Sequence, residues 1–483
     1  MLFNSWQFLI YLPIVFITYF LLPKKVRHIF LLVASYFFYM FWNWELVFLI
    51  LFTTVISYVG AILIKKSQRR GIQRLLLIIS LISCLGVLIF FKYFNFMVES
   101  VVNIINMFST QKYDFVALNI ILPVGISFYT FQTLSYVIDV YNNKTEVEYN
   151  PFYYALYVSF FPQLVAGPIE RSENLLPQFK NKEGIKKDNL VIGLQYILKG
   201  YIEKIFVADL LGIYVNKIFN NIYDANGMLV MSGAILFSIQ ILGDFAGYSD
   251  IAIGVAKLFN IDLMKNFDNP YKAKTIKEFW NRWHISLSKW LRDYIYFPMG
   301  GSRVPLWRWI LNILVVFIIS GIWHGAAVTF IIWGLMHAIY QIIGRLTIGL
   351  RDKLWKKMHI SPKVIDAFRV IITYTLVCLA WIAFRSNSFD EMLHAYKLLF
   401  TGWSFDLTYF NYSINYLGLS YIKSLLIICP IIMILIVNKM TVDDINHNAL
   451  SKVGYVLMAW LVVIAFIYLE YLGQGSQFIY FQF

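Results

Sequence analysis

One histidine of this sequence stands inside an apolar stretch. His324 lies in the segment 320–326 (SGIWHGA), between the apolar runs 310–319 and 327–335. Ionisable side chains are costly within a membrane segment and are usually retained there for function. The glycines on both sides leave room for a neighbouring helix or a ligand. A neutral imidazole accepts a proton readily, so His324 is either a general base inside a bilayer or a structural histidine bonded between helices.

A second histidine, His284, lies in the Trp-rich segment 279–288 (FWNRWHISLS). If this segment is a continuous helix, Arg282, Ser286 and Lys289 share one of its faces. Its tryptophans then lie at a membrane interface, where indole rings are enriched. The segment is therefore a companion of His324 in a catalytic site or an amphipathic helix held by lipid headgroups.

Two carboxylates, Asp244 and Asp250, interrupt another hydrophobic stretch. They could bind a cation, transfer protons or anchor a helix end, or they could simply be helix-end caps or hydrogen-bond partners between helices. His337 also lies in an apolar segment, and we interpret it as a residue that packs against the site. The sequence has no two-histidine zinc motif, no phosphate-binding glycine loop and no nucleophile elbow, so we expect no metal.

The elements that position these residues are membrane-spanning helices. The chain is 59% hydrophobic and only 14% charged, whereas soluble domains carry roughly 25% charged residues. Long apolar runs predict an all-α, polytopic integral membrane protein with about 11–13 transmembrane helices. We expect one domain, 1–483, with its core motifs at about 120–345, and a retained first span rather than a signal peptide. The candidate spans are 6–22, 29–42, 46–64, 75–94, 116–138, 191–219, 229–259, 306–322, 327–343, 364–384, 422–437 and 453–471.

Three segments do not have the pattern of ordinary spans. Segment 152–168 is aromatic and contains prolines, 262–296 is polar and basic, and 299–302 (MGGS) has the composition of a tight loop. Irregular backbone at membrane depth persists where it is buried in protein or lines a cavity. We therefore expect re-entrant or interfacial helices around an internal chamber. Segment 389–400 predicts a further amphipathic helix.

The net charge of +14 comes from 41 basic and 27 acidic residues. The basic residues cluster in short connections, which is typical of cytoplasmic loops facing anionic lipid. This explains the charge without a nucleic-acid partner, and part of it could attract an anionic coenzyme. The three cysteines lie in apolar runs without metal-ligand spacing and resemble small buried hydrophobes.

Together these segments resemble the membrane-bound O-acyltransferase superfamily, and within it the alginate O-acetyltransferase-like bacterial branch. They occur in the family's order through most of the chain, and the ordered set is far more specific than a single Trp-His-Gly. The matching segments are 131–136, 162–169, 244–250, 279–288 with 290–294, 321–325 and the terminal 478–483.

The resemblance implies that His324 is the signature intramembrane histidine and that His284 holds the family's second polar position. It implies a funnel or tunnel in a bacterial inner membrane, with cytoplasmic acetyl-CoA as donor and a polysaccharide acceptor outside. It also implies a partner, an extracytoplasmic acetyltransferase with an SGNH-hydrolase-like fold. The residues expected to contact the donor are Arg282, Trp283, Lys289, Trp323 and Asp250.

Several alternatives remain open at this point. His324 either deprotonates the acceptor hydroxyl or carries the acyl group itself. The protein either acetylates the glycan directly or relays acetyl groups to its partner. Related enzymes transfer D-alanyl groups to teichoic acid. A transporter or flippase would instead use carboxylates such as Asp244 and Asp250 for coupling, with inverted repeats that we do not find.

Overall fold

A computed structural model describes residues 1–109, 113–165, 167–181, 183–358, 360–418, 427–434, 459–465 and 467. Within these ranges the protein is helical and contains no β-strand. Six described helices are long and apolar enough to cross a membrane: Trp44–Lys66, Arg70–Phe108, Gly227–Leu258, Leu306–His324, Val328–Leu346 and Pro362–Arg385. The all-α, polytopic class is confirmed, while the larger helix number stays a prediction. The two last candidate spans fall largely outside the described residues, and the segment 478–483 falls wholly outside them.

The chain divides into two compact units. The first comprises Met1–Leu194 and Ala252–Met264, and the second comprises Gln195–Ile251 and the chain from Lys265 onward. Helices of the first unit are α1 (Trp6–Leu21), α2 (Arg27–Met40), α3 (Val47–Lys66), α4 (Arg70–Phe108), α5 (Ile126–Tyr141), α6 (Pro151–Ser159), α7 (Phe161–Leu164) and α8 (Ser172–Lys180), with a 3₁₀ turn at Trp44–Leu46. The helix α9 (Lys187–Tyr201) continues from this unit into the second.

Buried hydrogen bonds join the short helices of the first unit. The Tyr157 carbonyl accepts bonds from the side-chain amides of Gln132 (2.6 Å) and Gln163 (2.9 Å), which connects α5, α6 and α7. Gly125 precedes α5 at φ 75°, and a Cβ there would lie 2.3 Å from the Leu164 carbonyl oxygen. The two hydrogen bonds satisfy a buried backbone carbonyl that would otherwise be costly to bury. The motif segments 131–136 and 162–169 therefore contribute to the junction of these helices.

The second unit carries His284 and His324. After α9 come a π-helical segment (Ile202–Asp209), α10 (Leu210–Phe219), α11 (Gly227–Leu258, which ends in the first unit), α12 (Ile276–Arg282), α13 (Ile285–Leu291), a π-helical segment (Arg292–Tyr296), α14 (Leu306–His324), α15 (Val328–Leu346), α16 (Ile348–Lys357), α17 (Pro362–Arg385), α18 (Phe389–Thr401) and α19 (Leu407–Leu417). Short 3₁₀ turns lie at Ile222–Asp224 and Pro270–Lys272.

The irregular segments predicted from the sequence are present. Residues 152–168 form two short helices broken at Phe160, and 262–296 forms turns and short helices. Gly300 and Gly301 have φ values of 99° and 59°, as a tight loop requires. The amphipathic helix predicted at 389–400 is α18, which Ser388 caps by accepting a hydrogen bond from the Glu391 N–H.

Three predicted spans need correction. Segment 116–138 is not one helix, because 116–123 is non-helical and α5 begins only after Pro123 and the left-handed Gly125. The helix predicted at 75–94 is far longer, since α4 has 39 residues. Segment 191–219 is helical but contains the π-helical segment, and such bulges often accompany functional sites.

Candidate active site

His324 is the last residue of α14 and is buried, with 2% of its surface exposed. Its ring centroid lies 4.9 Å from that of Trp333 on α15 and 5.4 Å from that of Phe384 on α17, nearly edge-on in both cases. Because these rings shield the imidazole, its surroundings have a low dielectric constant. The geometry fits a histidine that acts where bulk water is excluded.

Close packing of α14 against α15 fixes the position of His324. A Cβ on Gly321 would lie 2.4 Å from the Phe330 carbonyl oxygen, and a Cβ on Gly334 would lie 2.3 Å from the Phe317 carbonyl oxygen. Glycines permit such backbone contact between membrane helices. The chain then leaves the helix at Gly325, which has extended backbone dihedrals. The small residues seen in the sequence therefore serve helix packing at this point.

His284 lies in a break between α12 and α13. Its dihedrals are φ 43° and ψ 56°, and its side chain is fully buried. Left-handed backbone costs a residue other than glycine about 1–3 kcal/mol and persists only where the surroundings enforce it. The break also separates Arg282 from Lys289, so the single amphipathic helix considered for this segment does not form. Its tryptophans are buried in the protein rather than at its surface: Trp280, Trp283 and Trp290.

Asn266 holds the His284 side chain. Its Oδ1 accepts hydrogen bonds from the Ser286 N–H (3.2 Å) and hydroxyl (2.9 Å), so this atom is the amide oxygen. His284 Nδ1 lies 3.2 Å from the same oxygen and must therefore be the protonated nitrogen of a neutral ring. Burial lowers the pKa of His284 to about 3, which keeps the ring neutral. Its Nε2 consequently carries the lone pair.

The two histidines are near neighbours. Their ring centroids are 6.5 Å apart, and Trp323 lies 5.6 Å from His284 and 5.0 Å from His324. The ring centroid of Phe245 on α11 lies 4.7 Å from that of His284. The structure brings His284, His324 and Trp323 together, and a catalytic role shared by the two histidines stays a prediction.

The other residues that the sequence predicts to contact the acetyl donor have different surroundings. Trp283 is stacked on Phe279 and contacts Trp381, within the aromatic core of the second unit. Arg282 is paired with Glu278 (2.9 Å) and Asp268 (3.8 Å), and Lys289 is exposed on α13.

His337 packs against the site from α15. Its Nδ1 accepts a hydrogen bond from the Trp280 indole N–H (3.3 Å), and its ring lies 5.1 Å from Trp333, which in turn contacts His324. The packing position that the sequence suggested for His337 is the one observed.

Asp244 and Asp250 lie within α11, and each forms an ion pair with a lysine. Lys204 bridges Asp244 and Asp209 at 2.6 Å each, and Lys199 lies 2.6 Å from Asp250 and 3.7 Å from Glu203. Glycines let the helices approach: a Cβ on Gly200 would lie 2.4 Å from the Gly247 carbonyl oxygen. These pairs anchor α11, the helix that carries Phe245 and Ser249 to His284 and Asn266. The alternative of helix anchoring therefore fits both carboxylates.

Sequence reasoning missed Asn266, Lys199 and Lys204. Asn266 had no signal, because an asparagine in a polar loop is common. The two lysines had one, since charges inside a predicted span usually pair with one another. Within the described residues no cluster of three or more potential metal ligands forms.

The fold and the site agree with a known class of membrane enzyme. The family model for MBOAT, the membrane-bound O-acyltransferase family, matches residues 27–384, a region that contains both histidines. The chain belongs to this family, and it is a multi-pass membrane O-acyltransferase. The resemblance inferred from the sequence motifs is thereby confirmed.

Individual relatives narrow the comparison. The chain is 36% identical over 413 residues to a probable alginate O-acetylase, AlgI, of Pseudomonas aeruginosa, covering 85% of this chain and 77% of that protein. It is 35% identical to a peptidoglycan O-acetyltransferase of Helicobacter pylori, covering 82% and 79%. A teichoic acid D-alanyltransferase of Bacillus subtilis is 31% identical over 56% of this chain and 71% of its own length. These bacterial relatives indicate the inner membrane as its location.

Proposed function

We propose that the protein transfers acetyl groups from cytoplasmic acetyl-CoA for the O-acetylation of an exported or cell-wall polysaccharide. The observation that carries this proposal is the buried His284–His324 pair, with ring centroids 6.5 Å apart, inside the region matched by the family. The similarity to alginate and peptidoglycan acetylating proteins over more than four-fifths of the chain supports acetyl as the acyl group and a glycan as the acceptor.

In the chemical step that we propose, His324 acts on an acceptor hydroxyl. Its unprotonated nitrogen takes the hydroxyl proton as the oxygen attacks the thioester carbonyl. The new C–O bond forms, the C–S bond breaks, and the imidazolium returns the proton to the departing thiolate. General-base catalysis of this kind contributes about 10²–10⁴-fold in rate.

A covalent route uses the same residue. The His324 nitrogen would attack the thioester, release coenzyme A and pass the acetyl group from the ring to the hydroxyl. Incubation with labelled acetyl-CoA and no acceptor separates the two routes, because only the covalent route leaves label on the protein.

In this proposal His284 orients the hydroxyl group that receives the acetyl group, and it does not stabilise the oxyanion of the transition state. Its Nδ1–H is directed to Asn266, so Nε2 of the neutral ring accepts hydrogen bonds and does not donate them. A neutral acceptor suits the orientation of a hydroxyl group. Stabilisation of an oxyanion would need a donor, and the Trp323 ring, which contacts both histidines, carries an indole N–H.

Of the predicted donor contacts, Lys289 and the basic segments 265–277 and 345–357 suit the phosphates of coenzyme A. Arg282 and Asp250 are already paired with opposite charges, so we expect them to support the site through those pairs. Trp283 would act through packing. An extracytoplasmic acetyltransferase with an SGNH-hydrolase-like fold is the proposed partner that receives or completes the transfer.

The experiment uses the full-length protein in proteoliposomes, with labelled acetyl-CoA supplied on one side and a glycan on the other. Acetylated glycan, or acetylated partner domain, is expected only when donor and acceptor occupy opposite sides. If a carrier protein loaded with labelled D-alanine labels the glycan as well as labelled acetyl-CoA does, D-alanyl transfer is favoured. Appearance of intact acetyl-CoA on the far side, with no acetylated product, would identify a transporter and contradict the proposal.

A further inference from the structure

His284 is held by a hydrogen-bonded cluster centred on Asn266. The cluster consists of Asn266, Ser286 and Ser249, which are 1%, 2% and 1% exposed. Three donors converge on Asn266 Oδ1: the Ser286 N–H, the Ser286 hydroxyl and His284 Nδ1–H. A carbonyl oxygen that accepts three bonds is an unusual concentration of donors for a buried loop.

The cluster fixes the loop on both sides of the amide. The Asn266 carbonyl accepts the Ile285 N–H at 2.9 Å, and its side-chain Nδ2 donates to Ser249 Oγ on α11 at 3.4 Å. This backbone bond is donated by the residue that directly follows the left-handed His284. Asn266 therefore enforces both the unusual backbone of His284 and the orientation of its ring.

We infer that Asn266 is the positioning residue that selects the tautomer of His284, so that Nε2 serves as the acceptor for the substrate hydroxyl. This inference rests on the proposed acyl transfer and names a residue that acts through His284. The amide is well suited to the task, because it accepts a bond from Nδ1–H without adding a charge. A carboxylate in its place would stabilise the protonated ring instead.

The neighbours of His284 define what else can influence its charge. Phe245 faces it from α11, Trp323 and His324 from α14, and Asn266 and Ser286 from the loop and α13. His324 is a titratable ring among them. The carboxylates of α11 are engaged by Lys199 and Lys204.

Two substitutions separate positioning from mere packing. Asn266→Ala removes the acceptor, and orienting partners of this kind are worth about 10–100-fold in activity. Asn266→Asp keeps an oxygen in the same place and a similar volume. It should recover much of the rate, but the carboxylate raises the pKa of His284, so the acidic limb of the kcat/KM profile should move to higher pH.

A double-mutant comparison completes the test. If Asn266 acts through His284, then adding Asn266→Ala to a His284→Gln protein costs little further activity. Asn221→Ala, which loses one exposed bond to the Lys217 carbonyl (3.1 Å) away from the cluster, is the matched control and should retain a near-normal rate. Thermal unfolding in detergent is measured for each variant.

The inference is overturned if Asn266→Asp has the pH profile of the unsubstituted protein, or if Asn266→Ala costs the same in both backgrounds. A wild-type protein without any acyl transfer would contradict the proposed function instead. The two failures are thus distinguishable.

Discussion

The two histidines of the site are supported in different ways. His324 ends a long helix, and its position follows from glycine-mediated packing of α14 on α15 and from surrounding aromatic rings. His284 lies in a break between two seven-residue helices, and its Nδ1–H donates a hydrogen bond to a polar cluster that holds it. Helix packing fixes where a group lies, whereas hydrogen bonds also fix which nitrogen carries the proton. This contrast suggests that His324 needs a position and His284 needs a tautomer.

The largest expected loss of stability comes from breaking the ion pairs that anchor α11, the helix that contacts His284. Lys204→Met leaves Asp209 and Asp244 buried without their cation, and removal of one partner of a buried pair costs about 3–5 kcal/mol. Because α11 carries Phe245 and Ser249, activity should fall as well. Lys265→Met, which breaks an exposed pair with Asp268, should cost at most about 1 kcal/mol. Equal unfolding midpoints for the two variants would contradict this ranking.

A smaller effect is expected on the His324 side. Gly321→Ala places a methyl group 2.4 Å from the Phe330 carbonyl oxygen, so α14 and α15 must separate, at about 1–3 kcal/mol. Gly344→Ala on α15 is the matched control, because no heavy atom lies within 4 Å of its added Cβ. The first variant should unfold at lower temperature and lose activity, and the control should not. A Gly321→Ala protein with wild-type activity would show that the packing of α14 on α15 does not position His324.

The pH dependence of stability gives the most specific signal, and this signal is small near neutral pH. Burial lowers the pKa of His284 to about 3, whereas an unfolded histidine titrates at about 6.5. Below that pH the unfolded chain binds a proton that the folded protein excludes, so stability is complete above about pH 6.5 and decreases as the pH falls towards 3. His284→Gln should flatten this slope in detergent unfolding experiments. An unchanged slope would mean that His284 is protonated in the folded protein.

Much of this arrangement could be predicted from the sequence. His324 was recognisable from its apolar context, and the Trp-rich segment indicated His284 as its companion. The ordered motifs then indicated the family. The predicted span at 116–138 was wrong because apolar composition outweighed the break at Pro123 and Gly125. The length of α4 was underestimated because bilayer thickness, rather than helix periodicity, set the predicted end.

The hydrogen-bond cluster could not be predicted in this way. Asn266 is eighteen residues from His284 in the chain, and no periodicity connects a loop residue with a left-handed backbone position. Long-range contacts of this kind depend on the folded structure. The ion pairs of Lys199 and Lys204 were closer to prediction, since a lysine in an apolar helix requires a partner.

The most direct test of the account is the single-turnover rate of acetyl transfer in a His324→Ala protein that folds normally. The matched control is His394→Ala, which removes a partly buried histidine of α18 that contacts Tyr223 instead of the site. We predict a fall of about 10²–10⁴-fold for His324→Ala and a near-wild-type rate for the control. A folded His324→Ala protein that transfers acetyl groups at the control rate would contradict the assignment of His324 as the catalytic residue.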